Sequence, residues 1–152
     1  MGEAAGSRCA GAGAGAGAGL VVVGAALLAG GRVLAAERSY PPALAGRWEF
    51  PGGKVGAGET ERAALVRECR EELGVDVRVG ERLGDDLPTA DGGAVLRVYA
   101  AELVAGEPVA REHRSLRWLG SAELGDVPWL AADRPLLAPL RALLLDHAPP
   151  PR

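Results

Sequence analysis

The chain has 152 residues, 48% of them apolar and 24% charged, which suits one globular domain with an ordinary core and is too short for two. Its formal net charge of -3 offers no basic footprint for gripping a nucleic-acid duplex, but leaves a small anionic ligand open. Cys9 and Cys69 lie far apart in unlike contexts, which fits neither a disulfide framework nor a metal knuckle and points to a reducing cytoplasm.

Residues 1–19, with an alternating Gly-Ala run from Gly11 to Gly19, offer little for a core and read as a disordered tail. The apolar stretch over residues 20–29 is too short to span a bilayer, so no membrane partner is expected. Arg8 before it also permits a secretory signal. Gly30-Gly31 between this run and the apolar residues 33–36 instead predicts a hairpin. A loop marked by Pro41-Pro42 and Gly46 leads to a short strand over residues 47–50, then a Gly-rich turn from Pro51 through Gly58. Residues 59–73 hold no Gly or Pro, with Thr60 near the start and Gly74 where a left-handed C-terminal cap falls, and predict a helix. Strands are expected over residues 75–79, 94–103 and 116–119, with Asp91-Gly92-Gly93 turning into the second of them. A helical turn over residues 121–124 and a Leu-rich helix over residues 133–146 follow, with Asp133 as its N-cap and Pro135 in its first turn. Residues 20–147 thus form one α/β domain, a sheet covered by helices on its faces, and residues 148–152 a frayed tail.

On the helix over residues 59–73, spacings of three and four place Glu68, Glu71 and Glu72 on one face, while Leu65, Val66, Cys69 and Leu73 gather on another. Three carboxylates on one patch repel unless something positive neutralises them. A hard divalent cation, Mg²⁺ or Mn²⁺, is the natural partner and would itself bind phosphate oxygens. The alternative is a solvated face tied by pairs such as Arg67 with Glu71.

Gly53, Glu59 after five residues, and then Arg67, Glu68, Cys69, Glu71, Glu72, Gly74 and Val75 resemble the box of the Nudix family, GX₅EX₇REUXEEXGU with U an apolar residue. Seven fixed positions match by chance about once in 10⁸ starts at average residue usage. The flanking string GRWEFPGGKVGAGET resembles the MutT branch, whose members hydrolyse nucleoside triphosphates. The resemblance implies an α/β/α sandwich with a mixed sheet. It implies that Glu68, Glu71 and Glu72 hold the metal with the carbonyl of Gly52, that Arg67 orients them, and that Glu59 ties down the loop beginning at Gly53. It makes Glu112 the candidate for a further glutamate of the site, against a solvated loop residue, and leaves His113 a surface loop residue rather than a ligand. Arg38 matches a phosphate-contacting position, with a surface strand end as the alternative.

The implied reaction is attack of water on the β-phosphorus, giving a monophosphate and pyrophosphate. The base pocket is expected in apolar and hydrogen-bonding groups outside the box. Strand alternation sends Trp48 and Phe50 to one face and Glu49 to the other, which makes Glu49 and Phe50 candidates for substrate contact or, for the aromatics, plain core. Trp129 and Asp133 lie where MutT relatives read the base, with Asp133 in place of Asn. An ionised Asp accepts hydrogen bonds and so suits an exocyclic amine such as that of cytosine. The implied substrates are therefore 8-oxo-dGTP and cytidine triphosphates. Rival expectations are a hydrolase of ADP-ribose-like substrates, for which Pro88 lies near the expected place, and a non-catalytic sensor, although no box glutamate is missing.

Overall fold

The computed structural model describes residues 20–89 and 91–147. The tails expected at residues 1–19 and 148–152 lie outside them, and so does Cys9. The fold is an α/β sandwich around a seven-stranded mixed sheet.

β1 (Val21–Ala29) and β2 (Arg32–Glu37) form the expected hairpin. Gly30 and Gly31 take φ values of 60° and 79° in its two-residue loop. A side chain at such angles is strained, and this turn matches the strand twist. β1 runs through the centre, parallel to β6 (Val95–Ala105), which pairs antiparallel with β5 (Asp76–Pro88). On its other side β1 meets β4 (Gly52–Lys54) along its first half and β2 at its end. β2 in turn carries β3 (Trp48–Glu49) and β7 (Ser115–Leu119).

Two apolar layers enclose this sheet. α1 (Glu61–Leu73) packs Leu65, Cys69 and Leu73 with Val23, Leu27 and Leu34. α2 (Leu137–Asp146) and two 3-10 turns, Ser121–Asp126 and Ala131–Leu136, cover the opposite face around Phe50, Trp129, Leu140 and Leu144. Each fully buried leucine contributes about 1.5–3 kcal/mol, so α1 is held by packing rather than by propensity. Its ends follow the sequence: Thr60 accepts from the Ala63 N–H, and Gly74 sits at φ 72°.

Three expectations are corrected. The Gly-rich stretch after Phe50 is not all turn, because Gly52–Lys54 pairs with β1. The strand expected over residues 75–79 continues to Pro88, past Gly80 and Gly84, through register shifts that keep it against β6. The closing helix does not begin at Asp133: the chain first makes a 3-10 turn, and Leu136 takes the N-cap position of α2. Pro135 lies inside that turn. No helix of the described residues is long and apolar enough to cross a membrane.

Candidate active site

β4 faces the carboxylate side of α1. In its antiparallel ladder with β1, Ala25 N–H donates to the Pro51 carbonyl and Val55 N–H to the Val21 carbonyl. Gly52 opposite Gly24 is therefore at a position where backbone groups point away from the partner strand. Its N–H donates to Glu72 Oε1 at 3.2 Å. A Cβ at Gly52 would lie 1.9 Å from the Val23 carbonyl oxygen, and one at Gly53 would lie 2.3 Å from Glu68 Oε2. Gly52 is required because the backbone of β1 lies this close to it, and the bare Gly53 leaves room for the Glu68 carboxylate of α1.

Arg67 is the hub on the other side of the glutamates. Its guanidinium donates to both oxygens of Glu59, at 2.6 and 2.8 Å, to Glu68 Oε2 at 3.0 Å, to Glu71 Oε1 at 3.2 Å and to the Lys54 carbonyl at 3.1 Å. Glu59 also accepts from the Gly56 N–H at 2.8 Å, which ties down the loop as expected. Arg67 and the Gly56 N–H hold the Glu59 carboxyl at about 2, and the Arg67 guanidinium is in turn made harder to deprotonate by Glu59.

Glu68 and Glu72 behave oppositely. Both are buried, at 4% and 2% exposure. Burial pushes the Glu68 carboxyl up to about 7 against the pull of Arg67. Burial, then the charges of Glu68, Glu49 and Glu112, lifts Glu72 well above the usual carboxylate range. Glu68 Oε1 is buried with no hydrogen-bond partner among the described residues. Such a spare oxygen acceptor beside further carboxylates suits a hard cation. The carboxylates share a helix face, as expected, but they do not form a closed cage: among the described residues no three acidic, histidine or cysteine side chains are placed to hold a metal ion together. Glu68 and Glu71 lean to Arg67, and Glu72 leans to Gly52.

The loop after β6 completes the surroundings. Arg111 N–H donates to the Glu72 carbonyl and its side chain to the Arg70 carbonyl, while Arg114 N–H donates to the Glu37 carbonyl. The loop is thus pinned to both α1 and β2. Glu112 is exposed, its carbonyl accepts from Ser39 Oγ, and its charge raises both Glu68 and Glu72. The structure departs from the expectation for this loop at one residue. His113 is not a surface residue: its side chain is 6% exposed and Nε2 lies 2.9 Å from Glu49 Oε2. Nothing in the sequence marks it, because its partner comes from a distant strand.

Arg38 is likewise no surface strand end. It is 4% exposed, pairs with Glu49 Oε1 at 3.0 Å and donates to the Tyr40 carbonyl. Of the residues considered for the base, Phe50 and Trp129 stack at 5.0 Å between ring centroids inside the core, and Trp129 Nε1 donates to the Leu124 carbonyl. Trp48 joins them, so the alternation that sends Glu49 to the other face holds. Asp133 is fully buried in its 3-10 turn.

A glycine strand bound to one buried glutamate, a second buried glutamate with a spare oxygen, and an arginine braced by the loop glutamate bring together Gly53, Glu59, Arg67, Glu68, Glu71 and Glu72 of the motif, while Gly74 ends the helix that carries them. The NUDIX domain profile matches residues 19–140. The chain belongs to the Nudix family. It is 54% identical over 127 residues to a Mycobacterium tuberculosis protein provisionally named 8-oxo-dGTP diphosphatase 2, covering 82% of this chain and 89% of that one. It is 39% identical to the CTP pyrophosphohydrolase of Escherichia coli, over 80% of this chain and 91% of the relative. The crystal structure of a MutT NUDIX hydrolase from Burkholderia pseudomallei aligns with a TM-score of 0.69 at 36% identity, covering 79% and 96%. The protein is a MutT-like Nudix hydrolase, an enzyme acting on phosphoric anhydrides.

Proposed function

We propose that this Nudix hydrolase is a Mg²⁺-dependent pyrophosphohydrolase that converts a nucleoside triphosphate and water into the monophosphate and pyrophosphate. Its proposed substrates are 8-oxo-dGTP and cytidine triphosphates, and its role is removal of unwanted nucleotides from the pool. The observation that carries the reaction class is the pair of buried glutamates, Glu68 and Glu72, set against the Gly52-Gly53 strand beside a single arginine hub. The names of the relatives, 8-oxo-dGTP diphosphatase and CTP pyrophosphohydrolase, support the substrate class.

Glu68, Glu71, Glu72, Glu112 and the Gly52 carbonyl are the groups that would hold Mg²⁺, with Mn²⁺ as a substitute. When bound, the cation supplies charge neutralisation for the polyphosphate and a more acidic attacking water. The protein's own part is orientation. Arg67 holds Glu68 and Glu71 in place, Glu59 fixes Arg67, and the Gly52 N–H fixes Glu72. In-line attack of water on the β-phosphorus breaks its bond to the oxygen bridging it to the α-phosphorus: the nucleoside monophosphate leaves with that oxygen, the water's oxygen stays on the β- and γ-phosphates as pyrophosphate, and the water's proton is released. Arg38, Glu49 and Gly53 belong to the nucleotide side of the site in this reading, and Asp133, with Phe50 and Trp129 behind it, to base choice.

A panel of 8-oxo-dGTP, dCTP, CTP, unmodified dGTP and ADP-ribose with Mg²⁺, read out as monophosphate and pyrophosphate, tests the reading. The expected result is pyrophosphate release from 8-oxo-dGTP or the cytidine triphosphates well above that from dGTP. Turnover of ADP-ribose alone would overturn it.

A further inference from the structure

One buried cluster beside the glutamates contains a residue to which the reaction above gives no part. Glu49 is 3% exposed, with Arg38 Nη1 at 3.0 Å from one oxygen and His113 Nε2 at 2.9 Å from the other. Because Trp48 and Phe50 fill the core on one side of the sheet, Glu49 projects to the α1 side, where its charge acts on Glu72. A carboxylate flanked by a guanidinium accepts hydrogen bonds, so the ring of His113 meets it with Nε2–H. Nδ1 is buried and has no hydrogen-bond partner among the described residues. Leaving a buried ring nitrogen unmatched costs free energy, and the ring has one strong contact to offset it, the one to Glu49. The backbone explains how His113 arrives there: the loop is pinned at Arg111 to α1 and at Arg114 to β2, so Glu112 and His113 are delivered together.

We propose that His113 is a positioning residue: with Arg38 it clamps the Glu49 carboxylate in one orientation beside the box glutamates, so that Glu49 meets the nucleotide without reorganising. The role rests on the pyrophosphohydrolase reading, in which Glu49 lies on the nucleotide side. A positioned acceptor adds to catalysis because its ordering is complete before the substrate arrives.

Two measurements test it. The first is a mutant cycle on pyrophosphate release with melting temperatures recorded throughout. His113→Leu is expected to lower kcat/KM at least tenfold, and His113→Gln, which keeps a side-chain N–H of similar reach, to recover to within about threefold of wild type. In a Glu49→Gln background, His113→Leu should cost less than about twofold more, since the clamp is already lost. Equal losses in the Leu and Gln variants, or additive losses in the cycle, would assign His113 a packing role and overturn the proposal. The second measurement is the imidazole NMR spectrum, which does not depend on substrate. The chain has two histidines. His147 bonds the Leu143 carbonyl through Nδ1 and His113 bonds Glu49 through Nε2, so the two rings are expected in opposite tautomers. A slowly exchanging Nε2–H on His113 that disappears in Glu49→Gln supports the clamp; a ring exchanging freely between tautomers in wild type overturns it. If wild type releases no pyrophosphate, the reaction reading falls and takes the catalytic role with it, while the NMR signal reports separately on the clamp.

Discussion

Two charged clusters touch α1, and they differ in balance. Arg67 serves Glu59, Glu68 and Glu71, one cation for three acids, with Glu72 buried alongside. At the start of the same helix, Arg97 and Arg82 meet Glu61 and Asp86, two cations for two acids, and Tyr99 donates its hydroxyl to Glu61. In the balanced cluster the carboxyls fall below their usual range: hydrogen bonds from Tyr99 and Arg97 outweigh the upward push of burial on Glu61, and Arg97 with Arg82 lowers Asp86. In the unbalanced cluster Glu68 and Glu72 rise. Similar residues on one helix thus make either a neutralised surface network or a buried carboxylate excess that a proton or an added cation relieves. Burial first, and then charge balance, separates the raised Glu68 and Glu72 from the scaffold, since the less buried Glu59 on the same arginine is lowered.

The strongest way to break the comparison is Glu72→Gln. It keeps the shape and removes one of the excess charges, so turnover should fall by about 10³-fold or more while the folded state survives. The metal-free variant is expected to melt no lower than wild type, because the burial and repulsion that oppose an ionised Glu72 no longer act. Near wild-type turnover in saturating Mg²⁺ would remove Glu72 from the site.

Asp133→Asn examines a buried acid outside both clusters. If Asp133 reads the base, replacing an acceptor by a donor should move the ratio of kcat/KM for dCTP over that for 8-oxo-dGTP towards 8-oxo-dGTP, by about 1–3 kcal/mol. An unchanged ratio would leave Asp133 as a structural acid of the 3-10 turn.

The pH dependence sharpens the contrast further. For Glu68, folded at about 7 against 4.5 in the unfolded chain, the native state holds the proton more tightly between those values. Metal-free stability should therefore fall as pH rises through that window, and Glu72 acts in the same direction. Glu59 has the opposite sign: its contribution is present above its unfolded value of 4.5 and is lost as pH falls towards about 2. Melting curves without divalent cations should show a drop of several degrees from pH 5 to 8. Adding Mg²⁺ at pH 8 should reverse it, and Glu68→Gln should flatten it. A melting temperature that rises across this range would contradict the burial and repulsion assigned to Glu68 and Glu72.

The smallest effect belongs to the balanced cluster. Arg97→Gln should change stability by about 1 kcal/mol and leave kcat/KM within error, since its Asp86 pair is exposed and the half-buried Glu61 keeps the Tyr99 hydroxyl. A large loss of activity would show that this network also serves the site.

What the sequence determined by itself is whatever depends on near neighbours in the chain. Helical spacing put the three glutamates on one face, Thr60 and Gly74 bounded α1, Gly30-Gly31 formed the hairpin, and alternation separated Glu49 from Trp48 and Phe50. Gly53 and Gly52 were marked as special, although not as strand, since three residues become β4 only by pairing with β1 from far upstream. The length of β5 was hidden in the same way, because Gly80 and Gly84 look like breaks until β6 lies alongside. Tertiary structure alone decided that Arg38 and His113 are buried on Glu49, that the 3-10 turn at Asp133 precedes α2, and that the glutamates lean apart. The physical reason is common to all of these: burial and pairing of a charged group depend on what residues distant in sequence bring to it, and local periodicity carries no record of that partner.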